Sequence, residues 1–234
     1  MLRITNFTKK YGNKTAVNNL SIHIKKGEIF GFIGHNGAGK TTTMKACCGI
    51  NAIEAGEIYI CGKSMKDNPM ECKKQIAYIP DNPDIYNFMT GLQYLEYIAS
   101  IFELTNENVK QDIEYLADYF EIKKSLGSSI SSYSHGMKQR LVIISAWIHK
   151  PKLILMDEPF VGLDPIAISK LKKLMREHCD NGGAILLSTH ILDMAEKLCD
   201  KVAIIKQGNL VSTGSLEEVI GDKTLEDVFL ELEN

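Results

Sequence analysis

Residues 34–41, Gly34-His35-Asn36-Gly37-Ala38-Gly39-Lys40-Thr41, fit the phosphate-loop pattern G-x-x-x-x-G-K-[ST] at every fixed position. The apolar stretch Glu28–Ile33 leads into the loop, and the helical stretch Thr41–Cys48 follows it. A strand, a glycine turn and a helix in that order belong to a parallel sheet with helices on its faces and the loop at a ligand crevice. The glycines let backbone N–H groups turn inward around a polyanion without Cβ clashes, and the helix start adds about half a positive charge. Lys40 is expected to reach the β- and γ-phosphates of a nucleotide, and the Thr41 hydroxyl to ligate Mg²⁺. The binding set read from this segment is Gly34, His35, Asn36, Gly37, Ala38, Gly39, Lys40, Thr41 and the adjoining Thr42.

The chain has 234 residues, 44% hydrophobic and 24% charged, enough for one large domain or a core with a subdomain. Its net charge of −2 gives no basic face, and the lysine pairs such as Lys9-Lys10 and Lys172-Lys173 are scattered, so nucleic acid is not the expected partner. The six cysteines form no C-x-x-C pair or zinc spacing, and a chain this long needs no disulfides, so they are expected to be reduced cytosolic thiols. Met1–Thr5 runs straight into an alternating strand, so no signal peptide is expected. The longest apolar runs, such as Leu141–Ile148, fall far short of the roughly 20 residues that span a bilayer. Any membrane would be spanned by another chain.

Residues 2–33 read as short strands, with turns at Gly12-Asn13 and Lys26-Gly27, and 57–60 and 76–79 as further strands. From Pro80 the pattern becomes helical: Leu92, Leu95, Ala99 and Phe102, then Val109, Ile113, Leu116, Ala117 and Phe120. A serine-rich loop, 128–134, precedes a helix over 136–149 that Pro151 stops. Strands at 153–156, 184–188 and 202–205 then alternate with helices at 166–179 and 191–198, and Gln207-Gly208-Asn209 turns into a last strand. The expected architecture is an α/β core with a mainly parallel sheet, an N-terminal antiparallel β-subdomain and an inserted helical subdomain. The spans are 1–81 and 149–215 for core and β-subdomain, 82–148 for the helical subdomain, and 216–234 for a helical tail.

Two more strands end in polar residues. Leu153-Ile154-Leu155-Met156 runs into Asp157, a support for Mg²⁺, and Glu158, placed to polarise an attacking water. Ala184–Ser188 runs into Thr189 and His190, which the order of the motifs brings to the same crevice.

Taken together, these segments resemble an ATP-binding cassette, the nucleotide-binding subunit of ABC transporters, over essentially the whole chain. Ser132-Tyr133-Ser134-His135-Gly136-Met137-Lys138-Gln139-Arg140-Leu141 is similar to the cassette signature usually written LSGGQ, with Leu, the first Gly and Gln replaced. The resemblance implies that Ser134 and Gly136 touch the γ-phosphate held by a partner subunit. It implies that Tyr11 stacks on adenine, that Gly162-Leu163-Asp164 crosses the dimer interface, that Glu158 is the catalytic glutamate and that His190 is the switch histidine. It departs from the family at Asp81, where Gln is usual, and a carboxylate there can still sense Mg²⁺. ATP and Mg²⁺ are the implied cofactors. The implied partners are a separately encoded membrane permease and a second cassette, identical or homologous, at the cytoplasmic face of the membrane.

Asp81–Thr90, with Pro83, Tyr86 and Phe88, is either the groove that meets the permease or part of the subdomain core. The ending 224–232, Asp81 and the variant signature look like cassettes of bacterial antibiotic and peptide exporters. A soluble cassette ATPase acting on DNA or ribosomes is the alternative, disfavoured by a single phosphate loop and no long heptad run. A GTPase is disfavoured because Asn13-Lys14-Thr15-Ala16 lacks the Asp of N-K-x-D and precedes the loop. A small-molecule kinase would need an acceptor pocket that nothing in the chain identifies.

Overall fold

The computed structural model describes residues 1–104 and 107–233. The expected helical subdomain and tail include residues 105–106 and 234, which lie outside that range. The strands are β1 (Leu2–Tyr11), β2 (Lys14–Ile24), β3 (Ile29–Ile33), β4 (Ala55–Ile60), β5 (Lys63–Ser64), β6 (Ile76–Ile79), β7 (Leu153–Asp157), β8 (Ala184–Thr189), β9 (Lys201–Lys206) and β10 (Asn209–Ser215). The helices are α1 (Lys40–Cys47), α2 (Pro69–Lys73), α3 (Gly91–Ile101), α4 (Glu107–Tyr119), α5 (His135–Trp147), α6 (Pro165–Asp180), α7 (Leu192–Leu198), α8 (Leu216–Ile220) and α9 (Leu225–Glu233).

One sheet runs β10-β9-β3-β8-β7-β6, parallel throughout except for the β9–β10 hairpin. Every residue of β3, β7 and β8 is buried, which is why these strands read as unbroken apolar runs. Their side chains split between the two faces. On β7, Ile154 and Met156 join a cluster with Ile143 of α5 and Leu171 of α6. Leu153 and Leu155 join another with Phe30, Phe32, Met44 and the inner face of the second sheet. That second sheet, β2-β1-β4-β5, is antiparallel. The molecule is therefore layered: antiparallel sheet with α1 and α2, six-stranded sheet, then the helices α3–α9 on its other face. Burying a side chain such as Phe7 or Leu155 contributes about 1.5–3 kcal/mol.

Turns fall at Gly12-Asn13 and Lys26-Gly27 as the sequence indicates, and the strands before them, β1 and β2, are long rather than short. Asn6 and Asn19 take positive φ, 51° and 50°, and the β1–β2 register shifts around Phe7. Bulges at these asparagines, held by Asn6 N–H to Ser21 Oγ (2.9 Å) and Asn19 N–H to Thr8 Oγ1 (2.9 Å), bend the ribbon without ending it. The helical stretch from α3 to α5 shares its buried cluster with the sheet: Leu95, Ile113, Phe120 and Ile143 are continuous with Ile154 and Met156. Leu92, expected on the apolar stripe of α3, is 39% exposed. α3 starts at a reciprocal cap between Thr90 and Gln93.

The six cysteines are free thiols, and burial pushes Cys48, Cys179 and Cys199 up to about 12, which leaves them unreactive. His149 stacks on Phe102 at 3.8 Å with its Nε2 3.0 Å from the Ile76 carbonyl, and His178 packs against Trp147. Burial holds both imidazoles below their usual value of 6.5. Unfolding releases that constraint, so below pH 6.5 the unfolded chain takes up more protons than the folded one. The histidine contribution is thus fully present above 6.5 and is lost as pH falls through the folded values. Thermal melts at pH 7.5 and 5.5 should show a lower midpoint in acid, and His149→Gln should narrow the gap.

Candidate functional site

The phosphate-loop segment leaves β3 at the centre of the parallel sheet, where the C-terminal strand edges open a cleft of about 280 Å³. Tyr11, Lys14, Ala16, Asn36, Gly37, Gly39, Lys40, Thr41, Thr42, Asp81, Asp157 and Glu158 line it. Gly39 caps α1 with φ 112°, and a Cβ there would come 2.6 Å from the Ala16 carbonyl, so only glycine fits. Gly34 has no room for a side chain beside the Ile205 backbone of β9.

Lys40 is 5% exposed, and its ammonium folds back over the loop to the carbonyls of Gly34 (2.5 Å) and His35 (3.1 Å). Glu158 Oε1 is 4.0 Å from it. Burial lowers the Lys40 pKa, and the Glu158 and Asp157 carboxylates pull it back up. Asp157, 1% exposed at the end of β7, accepts from Thr41 Oγ1 at 2.6 Å and from the Ser188 hydroxyl of β8. Glu158 sits at φ 47°, a left-handed conformation that non-glycine residues seldom adopt. Its N–H donates to the Ser188 carbonyl at 3.1 Å, which turns the side chain over the cleft, and His190 Nδ1 lies 2.9 Å from Oε1. β3, β7 and β8 thus deliver cation, hydroxyl, carboxylates and imidazole to one end of the sheet.

Some expected residues lie elsewhere. His35 turns its ring out of the cleft onto Phe229 of α9, 5.1 Å between centroids, and with Ala38 it lines a hollow beside Ile205 and Gln207. The two still offer backbone groups to the loop. Ser134, Gly136 and Asp164 do not line the cleft of their own chain. Ser134 caps α5, accepting from Met137 N–H at 3.3 Å. Asp164 caps α6, accepting from Ala167 N–H at 2.9 Å, and pairs with Arg140; the cap and the guanidinium hold its carboxyl below the usual range. Gly136 lies against the Gly162 carbonyl, where a Cβ would stand at 2.7 Å. The buried Gln139 donates to the Pro159 carbonyl at 3.2 Å. The start of α5 is therefore fastened to the loop that follows Glu158.

Sequence reasoning did not assign Ser188, Gln139, Arg140 or Lys14. Ser188 had a signal, a hydroxyl closing an apolar strand two residues before His190. Gln139 and Arg140 had none, because their partners are distant in sequence.

The donor set suits Mg²⁺. Among the described residues no group of three or more His, Cys, Asp or Glu can cage a metal. Mg²⁺ is usually held by one or two carboxylates with substrate phosphates and water, and the hard oxygens of Thr41 and Asp157 match that habit. The Tyr78 hydroxyl, shut off from solvent, lies beside Asp157 on this floor.

The fold, the loop and the carboxylate pair are those of a nucleotide-hydrolysing cassette, and the comparisons agree. The chain belongs to the ABC transporter family, whose profile matches residues 17–161. It is an ABC transporter ATP-binding subunit, an ATPase that uses ATP with Mg²⁺. It is 35% identical to the ABC-type transporter ATP-binding protein EcsA of Bacillus subtilis over 99% of this chain and 96% of that one. It is 34% identical to the bacitracin transport ATP-binding protein BcrA of Enterococcus faecalis, over 94% of this chain and 70% of that one. A solved ATP-binding subunit of an ABC transporter superposes with a TM-score of 0.96 at 33% identity, with 100% of both chains covered.

Proposed function

We propose that two cassettes, two copies of this chain or one with a homologue, close head-to-tail around two ATP molecules and drive a separate membrane permease that exports its cargo. The observation that carries this reading is the division of the site. The cation, hydroxyl and carboxylates line one cleft, with the His190 imidazole against Glu158, whereas Ser134 and Gly136, at the anion-binding start of α5, do not line it. A second chain has to supply that helix end. No helix among the described residues is long and apolar enough to cross a membrane, so the reading places the chain at the cytoplasmic face beside a spanning partner. The name of the bacitracin transport relative supports a transport role.

In this scheme Lys40 and the loop N–H groups stabilise charge on the phosphates. Thr41 and Asp157 would hold Mg²⁺, which would neutralise charge on the phosphates. Glu158 orients the attacking water and accepts its proton, and His190 holds Glu158 in place and contacts the γ-phosphate. Tyr11, at the cleft mouth, stacks on adenine. Residues 82–148 move as the helical subdomain on closure. The permease docks at an exposed aromatic cluster, where Tyr86 (47% exposed) packs 5.7 Å from both Phe88 (81% exposed) and Tyr97. Pro83 is buried and is not part of this exposed surface.

Complementation tests the shared site. Lys40→Ala removes the loop cation, while Ser134→Asp keeps a helix-capping side chain but sets a negative charge against the partner's phosphate. Each variant alone should be inactive. Mixed, they form one intact composite site and should regain measurable ATPase. Mixtures as inactive as the single variants would refute the shared site.

Asp81 lines the cleft with its Oδ1 accepting from Asn82 N–H at 2.9 Å. In this reading it approaches Mg²⁺ directly or through water. Asp81→Ala should raise the Mg²⁺ needed for half-maximal ATPase about two- to fivefold, the size of one exposed charge contact, and Asp81→Gln should retain activity. Identical Mg²⁺ titrations for parent and both variants would leave Asp81 a turn residue.

A further inference from the structure

Tyr11 is 51% exposed at the end of β1, yet it is not loose. Asn51 Nδ2 donates to the Tyr11 hydroxyl at 3.0 Å and approaches the Thr42 carbonyl of α1 at 3.4 Å. Asn51 is itself anchored: its N–H donates to the Lys45 carbonyl at 3.2 Å, just past the end of α1. Tyr11 and Thr42 both line the nucleotide cleft, and Asn51 does not. It bridges two walls of the cleft from behind. One face of the Tyr11 ring is also occupied. Lys9 Nζ lies 5.4 Å from the ring centroid. Lys9 is 7% exposed and held by an ion pair with Glu54 and a 3.4 Å contact to the Ala52 carbonyl. The ring therefore has a fixed tilt, a backed face and an open face.

We propose that Asn51 is a positioning residue for the nucleobase: it locks Tyr11 to α1, so that the ring stands ready at a set distance from the phosphate loop with Lys9 closing its far face. The proposal rests on the reading of Tyr11 as the adenine-stacking residue. An exposed aromatic that must be ordered on binding loses rotamer freedom at that moment, and ordering it beforehand removes the cost. Because the lock runs from the phenol oxygen to the helix that carries Thr41 and Thr42, it fixes the spacing between base and phosphates. Base recognition should depend on it, and phosphate recognition should not.

The test compares ADP with inorganic pyrophosphate, both with Mg²⁺, by titration calorimetry on the full chain. Asn51→Ala should weaken ADP about three- to tenfold, the size of one hydrogen bond, and leave pyrophosphate unchanged. Tyr11→Phe, which keeps the ring and removes the bonded oxygen, should weaken ADP to a similar extent. The double variant should be no weaker than the weaker single variant, because both remove the same bond. Unchanged pyrophosphate binding shows that the site is still folded. Parent-like ADP binding by Asn51→Ala, equal losses for ADP and pyrophosphate, or additive effects in the double variant would each overturn the proposal. Tyr11→Ala separates the two readings. If it weakens ADP alone while Asn51→Ala does nothing, only the role of Asn51 falls. If Tyr11→Ala leaves ADP binding intact, the adenine reading falls with it.

Discussion

Glu158→Gln is expected to bind ATP as the parent does and hydrolyse it about 10²–10⁴ times more slowly, the range lost when a positioned general base is removed. The side chain is 13% exposed, with His190 Nδ1 at 2.9 Å and Lys40 Nζ at 4.0 Å. An amide fills the same space and keeps contact with both neighbours, but it cannot take a proton from water. Binding survives because the phosphate contacts come from the loop and α1. ATP that is bound and not cleaved should hold two cassettes together. Size-exclusion chromatography with Mg-ATP should therefore show more dimer for the variant than for the parent. Unchanged hydrolysis with no ATP-dependent shift would remove Glu158 from the chemistry.

Lys40→Ala should reduce turnover at saturating Mg-ATP by at least about a hundredfold, as loss of one preorganised charge-stabilising donor does. The structure adds a second effect. This ammonium holds the Gly34 and His35 carbonyls and sits beside two carboxylates. Without it the loop carbonyls lose their donor, and Asp157 and Glu158 lose the attraction of this ammonium. Nucleotide binding should therefore weaken together with turnover, unlike in Glu158→Gln. Equilibrium binding and steady-state kinetics on both variants separate the two patterns, and near-normal turnover in Lys40→Ala would contradict this account of the loop.

The parallel core was legible because its strands are buried on both faces: β7 and β8 could be read as apolar runs ending in Asp157 and His190 without knowing what they pack against. The loop was legible because glycine tolerance and a lysine at fixed spacing are local requirements. Three kinds of feature were not. α2 has five residues, and its only fully buried side chain is Cys72, so it has no apolar period to detect. The length of β1 and β2 was not legible, because the bulges at Asn6 and Asn19 that bend the ribbon without ending it depend on the partner strand. The fastening of Gln139 and Arg140 to the segment after Glu158 joins residues far apart in the chain, and spacing cannot report it. For the same reason Asn51 carries no motif: its importance lies in what stands opposite it.

The order of strands in the parallel sheet bears on when the protein can begin to work. β3, which carries the phosphate loop, lies between β8 and β9, and Ile29 N–H donates to Asp200 at 2.7 Å. On the ribosome, β3 emerges early and must wait for both neighbours. Until they arrive it is an apolar strand with open edges, the kind of segment that aggregates or recruits chaperones. ATP can stabilise only a chain whose site already exists, so the nucleotide offers a nascent chain no protection until the last of these strands docks. A chain stopped at residue 190 would carry every nucleotide-contacting residue assigned above and still lack β9, the strand that holds the loop in place.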